Sequence, residues 1–417
     1  MKILVVLPMY GGSLPVGQYC VGALGRLGHM VDVFEAPVFK SAFDGLKELK
    51  VSSSSLDQLE NSFLQVVSSA VLAKVDMMRP DLVLALAQAP LSRQALSKLR
   101  QKNVPTAMWF VEDFRIFQYW RSFAPYYDFF AVIQKEPFFS ELKKSGMANF
   151  MYLPLAADPD FHRPLDLDSV SERKFGSDLS FLGAGYPNRR KAFKSLLNYD
   201  FKIWGTEWDG APELKSLIQL DGCRVSPEEA VKIFNAARIN LNLHSSINRD
   251  KEVVRGDFVN PRTFELASCG AFQLVDEREL LPDLFSKDEL VTFSGMDDLL
   301  EKIDYFLHSP DERQEISARS RQRVLSDHTY EQRMRDLLAC MTEYGILKEN
   351  KKDDPDLFDA IDPCLREKIR KLLEKYRLSP HVGFADLIFN IRQAGGELDE
   401  LETSLLFLDE WKKLYTR

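Results

Sequence analysis

Short apolar segments alternate with longer amphipathic segments along most of this chain of 417 residues. The first unit has an apolar segment at 2–9, a turn at Gly11 and Gly12, a helical spacing of apolar residues and a second apolar segment at 30–34. A strand, a glycine turn, a helix and a strand in this order open a doubly wound parallel sheet. The alternation starts again at residue 178 and predicts a second sheet of the same kind.

Composition narrows the protein class and its partners. A chain of 417 residues, 45% of them hydrophobic, is long enough for two domains with large cores. The net charge of −8 argues against a nucleic-acid partner, which needs a clustered basic excess. The five cysteines form no Cys-x-x-Cys pair, which favours a reducing compartment without structural zinc. No apolar run is close to the length of about 20 residues that a membrane helix needs. We therefore expect a cytoplasmic protein without an integral membrane segment.

Proline-rich and charged segments divide the chain into five parts. We predict an N-terminal Rossmann-like domain, an interdomain linker, a second Rossmann-like domain, a further helix and a helical tail. In order, these span residues 1–156, 157–177, 178–330, 331–347 and 348–417. In the tail, a charged linker at 348–356 precedes three helices. The tail provides a surface for a second copy or a protein partner, or it braces the main body.

The segment 260–276 carries signals for both ends of a helix. Asn260 has the acceptor side chain that an N-cap needs, and Pro261 suits the first helical position, where its missing N–H is not needed. Gly270 supplies the left-handed residue that ends a helix, and an apolar run with the length of a buried strand follows. The start of such a helix offers free N–H groups and a positive dipole end to a phosphate or diphosphate.

Two charged residues lie at the start of this predicted helix. Arg262 stands beside the free N–H groups, and Glu265 shares its helical face one turn further in. A carboxylate at this point can accept two hydrogen bonds from a ribose diol while the helix start holds the phosphates. The alternative is an ordinary capped helix whose Arg262 and Glu265 form a surface pair.

This segment resembles a known motif. The residues Arg262-x-Phe264-Glu265-x-x-x-Cys269-Gly270-Ala271-Phe272 resemble the donor-nucleotide motif of CgeB-like, spore-maturation type glycosyltransferases, a branch of the GT-B superfamily. The resemblance continues through 281–285 to 328–330 and Arg333, and it is strongest over about 175–340. It implies a GT-B fold, in which two Rossmann-like, doubly wound parallel-sheet domains face a cleft, with a C-terminal helical extension here. The resemblance makes 1–156 the acceptor-side domain, 178–330 the donor-nucleotide domain and 331–347 the crossover helix.

The resemblance also implies positions for the donor. A predicted strand ends at Gly183, and three cations, Arg189, Arg190 and Lys191, follow in a predicted helix, an arrangement that suits neutralisation of a diphosphate. The family carries a basic residue here, which Arg190 matches best. In GT-B enzymes the glycine-rich loop that corresponds to Gly11 and Gly12 lines the interdomain cleft; the alternative is a simple tight turn.

Acidic residues follow a predicted strand of the first domain. The strand at 106–111 continues into Glu112 and Asp113, and ligands of such sheets bind beyond the carboxyl ends of strands. Eleven of the 22 residues at 109–130 are aromatic, which suits an acceptor site, a plain aromatic core or a partner-binding surface. We therefore take Glu112 and Asp113 as catalytic candidates on the acceptor side.

A predicted strand of the second domain has one polar face. Asn240, Asn242 and His244 alternate with apolar residues, whereas a strand inside a parallel sheet is normally apolar on both faces. His244 at the carboxyl end is therefore a third catalytic candidate, with a satisfied structural histidine as the alternative. The aspartate pairs 158/160 and 166/168 are interpreted as solvated linker charges, so no metal site is expected.

These features together predict a glycosyltransferase of the hexosyltransferase type that uses a nucleoside-diphosphate sugar as co-substrate and needs no cofactor. Arg190, Arg262 and the amides at 260–263 hold the diphosphate without a metal, and Glu265 binds the ribose. His244 or Glu112 contacts the transferred sugar or accepts the acceptor's proton. The resemblance suggests retention of configuration with the donor phosphate as base, although only the second of two glutamates common in retaining relatives is recognised.

The sequence leaves several alternatives open. The acceptor can be a protein, a lipid or a polysaccharide. A catalytically inactive GT-B-like assembly protein and a sugar-nucleotide epimerase are the rival functions. The epimerase would need acidic residues on both sides of the donor sugar.

Overall fold

A computed structural model describes residues 1–248, 250–348, 362–376, 378, 382–394 and 396–415. Within these residues the chain forms two parallel sheets, of six and five strands, each covered by helices. The prediction of two doubly wound parallel-sheet domains is thereby confirmed. No helix in the described ranges has the length and apolar composition that crossing a bilayer requires.

The N-terminal sheet has the strand order β2-β1-β3-β4-β5-β6, and all its pairs are parallel. Its strands are β1 (Lys2–Val6), β2 (Met30–Phe34), β3 (Leu82–Leu86), β4 (Thr106–Phe110), β5 (Phe129–Val132) and β6 (Phe150–Tyr152). The helices of this part are α1 (Ser13–Arg26), α2 (Lys40–Lys47), α3 (Ser53–Met78), α4 (Arg93–Gln101), α5 (Trp120–Phe123) and α6 (Phe138–Lys144).

The central strands of this sheet are apolar on both faces because helices cover both. Every residue of β3 and β4 is buried. On one face Leu84 and Trp109 belong to a cluster that includes residues of α1, and on the other Val83 and Met108 pack with residues of α3 and α4. This two-sided burial explains why both strands appear in the sequence as continuous apolar runs.

The C-terminal sheet has the order β11-β10-β9-β7-β8 and is again parallel throughout. Its strands are β7 (Ser177–Leu182), β8 (Phe201–Trp204), β9 (Ala237–Asn242), β10 (Gln273–Asp276) and β11 (Val291–Phe293). The helices are α7 (Ser169–Phe175), α8 (Pro187–Ala192), α9 (Pro227–Ala236), α10 (Pro261–Ser268), α11 (Met296–Leu307) and α12 (Pro310–Asp327).

The next helix, α13 (Tyr330–Glu343), returns to the N-terminal domain, as a crossover helix does. Its start is tied to the linker, because Ala157 pairs with Thr329 in a parallel bridge. The buried Arg333 donates to the carbonyls of Pro154 (2.8 Å) and Leu155 (3.3 Å) at the end of the N-terminal domain. The two domains therefore share a hinge built from residues of both.

The linker is more ordered than the sequence suggests. It contains α7, whose N-cap is Asp168, and β7 begins one residue before the predicted boundary of 178. The interpretation of Asp158 as a solvated charge is wrong. Its side chain is 8% exposed and pairs with Arg26 of α1 at 3.2 Å. Arg26 also pairs with Glu331 at the start of α13, so Asp158 belongs to the hinge.

The tail has the three predicted helices, α14 (Pro363–Lys375), α15 (Phe384–Gln393) and α16 (Glu400–Tyr415), with a small apolar core of their own. Asp386 pairs with Lys2, and Asn390 donates to the sulfur of Met30. Since Lys2 and Met30 begin β1 and β2, α15 lies at the amino edge of the N-terminal sheet. These contacts favour a brace on the main body. Of the predicted charged linker at 348–356, all but Lys348 lies outside the described residues.

The buried His328 in the hinge should make the stability of the fold depend on pH. Its Nδ1 accepts from Arg333 (2.7 Å) and its Nε2–H donates to the carbonyl of Leu284 (2.8 Å). Burial, aided by the neighbouring Arg333 charge, lowers the pKa of His328 to about 4. A histidine side chain in the unfolded protein has a pKa of about 6.5. The unfolded state therefore binds the extra proton, and stability is lost as pH falls from 6.5 towards 4.

We expect urea unfolding of the wild type to lose about 3 kcal/mol through this group between pH 7 and pH 4. In His328→Gln, which does not titrate, this part of the pH dependence should disappear, whatever stability the substitution itself removes. Equal slopes of unfolding free energy against pH in the two proteins would show that His328 is not the responsible group.

Candidate active site

The start of α10 has the predicted cap. Asn260 is extended, and its Oδ1 accepts from the N–H of Thr263 at 3.1 Å. Pro261 occupies the first helical position, and Gly270 with φ of +66° follows the end of the helix. Pro261 has no N–H, and the N–H of Thr263 donates to the cap. The N–H of Arg262 is therefore the first amide of the helix that has no intrahelical acceptor.

A buried histidine orients this start. His244 follows β9 and is 2% exposed. Its Nε2 lies 2.9 Å from the N–H of Asn260, which can only donate, so Nε2 accepts and Nδ1 carries the proton. Nδ1 donates to Asp276 at 2.6 Å, and the backbone N–H of His244 donates to the same oxygen at 2.8 Å. Asp276 and His244 thus hold the residue from which α10 begins.

This geometry does not support a catalytic role for His244. Both ring nitrogens are engaged inside the protein, and burial lowers the pKa of the ring, which keeps it neutral. The alternative of a satisfied structural histidine fits the contacts. A polar residue at a strand end faces either a ligand or a buried partner, and the alternation along β9 has the same pattern in both cases.

Asp276 remains charged in this buried position. Burial raises its pKa, but contacts with His244 and Arg278 outweigh burial and hold the pKa below the usual value. Arg278 lies 3.4 Å from Asp276 and donates to the carbonyls of Phe258 (3.0 Å) and Val254 (3.1 Å). The same arginine therefore also fixes the loop that leads into α10.

Arg262 and Glu265 form an ion pair, as the alternative interpretation of this helix expected. Arg262 Nη1 donates to Glu265 Oε2 at 2.7 Å, and the guanidinium lies 4.5 Å from the ring centre of Phe234. The pair is not on the open surface, because the Glu265 side chain is only 13% exposed and that of Arg262 27%. It sits one turn inside the capped helix start, where a polar ligand can still reach it.

His162 lies beside Glu265, and Tyr19 contacts His162 in turn. Nδ1 of His162 accepts from the N–H of Asp158 (3.2 Å), so in the neutral ring Nε2 carries the proton. Nε2 lies 3.3 Å from Tyr19 Oη and 3.9 Å from Glu265 Oε1. Burial lowers the pKa of His162, although Glu265 acts in the opposite direction. No local pattern marked His162 or Tyr19, which are distant from Glu265 in the sequence.

The glycine after β7 adjoins a buried arginine. A Cβ on Gly183 would come within 3.0 Å of the Phe181 ring and 3.3 Å of Arg189, so a larger residue would disturb both. Arg189 donates to the carbonyls of Leu243 (2.9 Å) and Ala184 (3.0 Å), and burial lowers its pKa to about 10. Arg189 thus connects the carboxyl ends of β7 and β9, a role that the sequence did not indicate.

Arg190 differs from Arg189 although the two are adjacent. Its guanidinium lies beside Gly210 in the segment after β8, and it is partly exposed without an ion-pair partner among the described residues. It therefore remains a candidate for an anionic ligand. Asn188 lies inside α8 and holds the next loop, because its side chain donates to the carbonyl of His244 at 2.9 Å.

The acidic candidates of the N-terminal domain have different environments. Glu112 accepts hydrogen bonds from Gln88 and from Tyr119 (2.8 Å), and burial raises its pKa. Asp113 instead accepts from the N–H of Arg115 (2.8 Å) within its own turn. Glu112 therefore keeps lone pairs for a ligand, whereas the geometry of Asp113 supports a turn-forming role rather than a catalytic one.

Gly11 and Gly12 lie at the same carboxyl edge. Gly11 has φ of +97°, a value that favours glycine, and a Cβ there would approach Gln88 to 3.5 Å. Gly12 is the residue before α1 and provides no side-chain cap. Gln88 thus lies between the glycine loop and Glu112, so the structure brings these predicted residues to one place.

Direct contacts join the carboxyl edges of the two domains. Asp257, in the loop before α10, accepts from Arg115 (3.1 Å) and from the buried Gln134 (2.8 Å) of the N-terminal domain. Lys135 pairs with Asp283 at 2.8 Å. Asp257 was not identified from the sequence. In the described part of the chain, no three His, Cys, Asp or Glu residues are grouped as metal ligands.

Comparisons with known sequences agree with the predicted resemblance. A family described as "Glycosyl transferase-like" matches residues 189–339. The spore protein CgeB of Bacillus subtilis (strain 168) is 28% identical over 273 residues, which cover 63% of this chain and 83% of CgeB. Both matches confirm the resemblance to CgeB-like glycosyltransferases that residues 262–272 predict.

Solved structures have a similar fold. Sucrose-phosphate synthase from Thermosynechococcus elongatus has a TM-score of 0.56 and 11% identity, over 83% of this chain and 99% of its own. Anabaena HepE, in complex with UDP and glucose, has a TM-score of 0.57 and 10% identity, over 82% of this chain and 100% of its own. A glycosyltransferase from Rickettsia africae has a TM-score of 0.54 and 13% identity, over 84% and 99%. They confirm the predicted GT-B fold.

The catalytic and the structural role of His244 predict different effects of its substitution. Gln at position 244 can donate to Asp276 and accept from Asn260, whereas Ala removes both side-chain hydrogen bonds and leaves the N–H of Asn260 without its acceptor. We expect His244→Ala to lose about 2–4 kcal/mol of unfolding free energy and His244→Gln less than half of that loss. Glycosyl transfer by a folded His244→Gln protein should stay within about tenfold of wild type. A loss of transfer rate of about 100-fold or more would instead support a catalytic role for His244.

Proposed function

We propose that this CgeB-like glycosyltransferase takes its sugar from a nucleoside-diphosphate sugar, works without a metal ion and retains the anomeric configuration. The observation that carries the proposal is the start of α10. There an oriented cap at Asn260, a free amide at Arg262 and the half-buried pair of Arg262 with Glu265 meet at the carboxyl edge of the sheet. This arrangement suits an anion bound to a sugar with neighbouring hydroxyl groups.

The chemistry requires stabilisation of the leaving group. Negative charge grows on the diphosphate as the bond to the anomeric carbon breaks, and groups already aimed at that charge lower the barrier most. The N-terminus of α10 supplies about half a positive charge. Arg190, which has no ion-pair partner among the described residues, adds one full charge on the same edge. Arg262 adds guanidinium N–H donors, although Glu265 offsets its charge. With these groups the site needs no metal.

Glu265 is assigned to the ribose of the donor. Arg262 engages Oε2, while Oε1 faces His162 at 3.9 Å and has room for further hydrogen bonds. A carboxylate accepts through two oxygens, so it can bind both hydroxyls of a diol. The complexes of Anabaena HepE with UDP and with UDP-glucose support uridine as the first nucleotide to examine.

Retention requires a base on the same side as the leaving group, and the donor phosphate serves as this base. Glu112 then accepts a hydrogen bond from the acceptor and orients it. Besides Glu112, Asp257 provides a carboxylate close to the start of α10. Arg115 and Gln134 hold it in place through hydrogen bonds.

Nucleotide binding tests the role of Glu265 directly. Thermal shift with UDP, GDP and TDP should identify one nucleotide that raises the Tm of the wild type. Glu265→Gln should bind that nucleotide about 10–100-fold more weakly, because hydrogen bonds to a charged acceptor are worth about 1.5–3 kcal/mol. Glu315→Gln, on the outer face of α12 with its side chain 71% exposed, is the matched control and should bind normally. Unchanged binding by Glu265→Gln, or no shift in wild type, would contradict the assignment.

His162 is expected to act through Glu265. His162→Ala should raise the donor KM by about tenfold, the effect of about 1.4 kcal/mol, with little change in kcat, because it loosens the ribose-binding carboxylate. His162→Gln keeps an N–H near the position of Nε2 and should recover most of the affinity. A fall in kcat at constant KM, or no recovery with Gln, would argue against this positioning role.

A further inference from the structure

The first half of α3 extends beyond the N-terminal sheet. At about 1.5 Å per residue, a helix of 26 residues is about 39 Å long, whereas a strand of five residues spans about 17 Å. The buried residues of α3 begin at Val67, and the helix ends where the chain turns into the amino end of β3. The segment before Val67 therefore rises above the carboxyl edge, on the side of Glu112.

A cavity of about 350 Å³ lies against this rising segment. One wall is formed by Asn61, Leu64 and Gln65 of α3, and a second by the chain at 88–94 after β3. The aromatic segment after β4 forms the third wall. The volume falls within the range of about 300–1,000 Å³ that is usual for small-molecule sites.

The lining combines aromatic rings with neutral amides. Tyr119, Phe123 and Tyr127 contribute rings, and Tyr127 is buried at the bottom with 2% exposure. At the rim, Gln65 donates to Gln94 at 3.2 Å, so both amides are available for exchange with a ligand. No carboxylate lines the cavity, and Arg93 is its one charged residue among those described. Such a lining suits a neutral ring with an apolar face and several hydroxyls.

The cavity adjoins Glu112 through two shared residues. Gln88 and Tyr119 both line it, and both hydrogen-bond the carboxylate of Glu112. Glu112 therefore lies directly behind the cavity wall, on the edge that carries the Gly11 loop. A ligand hydroxyl at this wall is within reach of the same polar network.

We propose that this cavity is the acceptor subsite and that it takes a neutral sugar ring, such as the terminal hexose of a glycan or glycoside. The proposal rests on the transferase function proposed above and names its acceptor class. The sugar ring stacks on the rings of Tyr119 and Phe123, and its hydroxyls bond to the amides at the rim. A hydroxyl that bonds to Gln88 or Tyr119 at the wall joins the hydrogen-bond network of Glu112.

Binding of p-nitrophenyl hexosides, measured by saturation-transfer NMR, tests the cavity. We expect at least one α- or β-hexoside of glucose, galactose or mannose to bind wild type and Val66→Trp equally. Val66 lies on the outer face of α3 and is 67% exposed, so its tryptophan stays in solvent. Leu64→Trp, two residues earlier, fills the cavity and should weaken binding at least tenfold. Phe123→Ala should also weaken hexoside binding, and this variant replaces Leu64→Trp in the test if Leu64→Trp does not fold.

Donor measurements separate this proposal from the transferase function. UDP affinity and the slow hydrolysis of the donor should be the same in wild type, Leu64→Trp and Val66→Trp. If no hexoside of the panel binds, or if a hexoside binds Leu64→Trp as it binds wild type, the acceptor proposal is wrong although the donor site remains. Binding of n-octanol to wild type but not to Leu64→Trp, with no hexoside binding, would assign the cavity to an alkyl chain and overturn the sugar proposal.

Discussion

The hydrogen bonds from buried Asp276 through His244 to Asn260 hold the candidate donor site together. A buried carboxylate is costly unless it is paired, and His244 and Arg278 satisfy Asp276 on two sides. In return, the end of β10 sets the position of the residue that caps α10. The direction of the helix dipole, and with it the place where a phosphate can bind, follows from the geometry of the sheet edge.

The same helix is also tied to the other domain. Asp257 before α10 bonds to Arg115 and Gln134, and Glu265 within α10 faces His162, which contacts Tyr19 of α1. The elements that would grip a donor are therefore attached to both sides of the cleft. A change in the angle between the domains would move these contacts.

Features that depend on neighbouring residues were visible in the chain. The alternation of strands and helices predicted two parallel sheets because each strand is buried by the helices that flank it. The cap of Asn260 was predicted, and the pair of Arg262 with Glu265 was recognised as an alternative, because in both cases the partners lie within three residues. Even the family motif at 262–272 lies almost entirely on one helix and the turn after it.

Contacts between distant residues required the folded chain. His244 has a polar pattern that fits a ligand as well as a buried aspartate, and only the position of Asp276, 32 residues later, decided between them. Arg189 and Arg190 are neighbours of the same charge, yet helix geometry turns one into the sheet edge and the other towards Gly210. The amino-acid order specifies short-range hydrogen bonds and burial periodicity, whereas packing across the sheet and hinge specifies which charged groups remain free for a ligand.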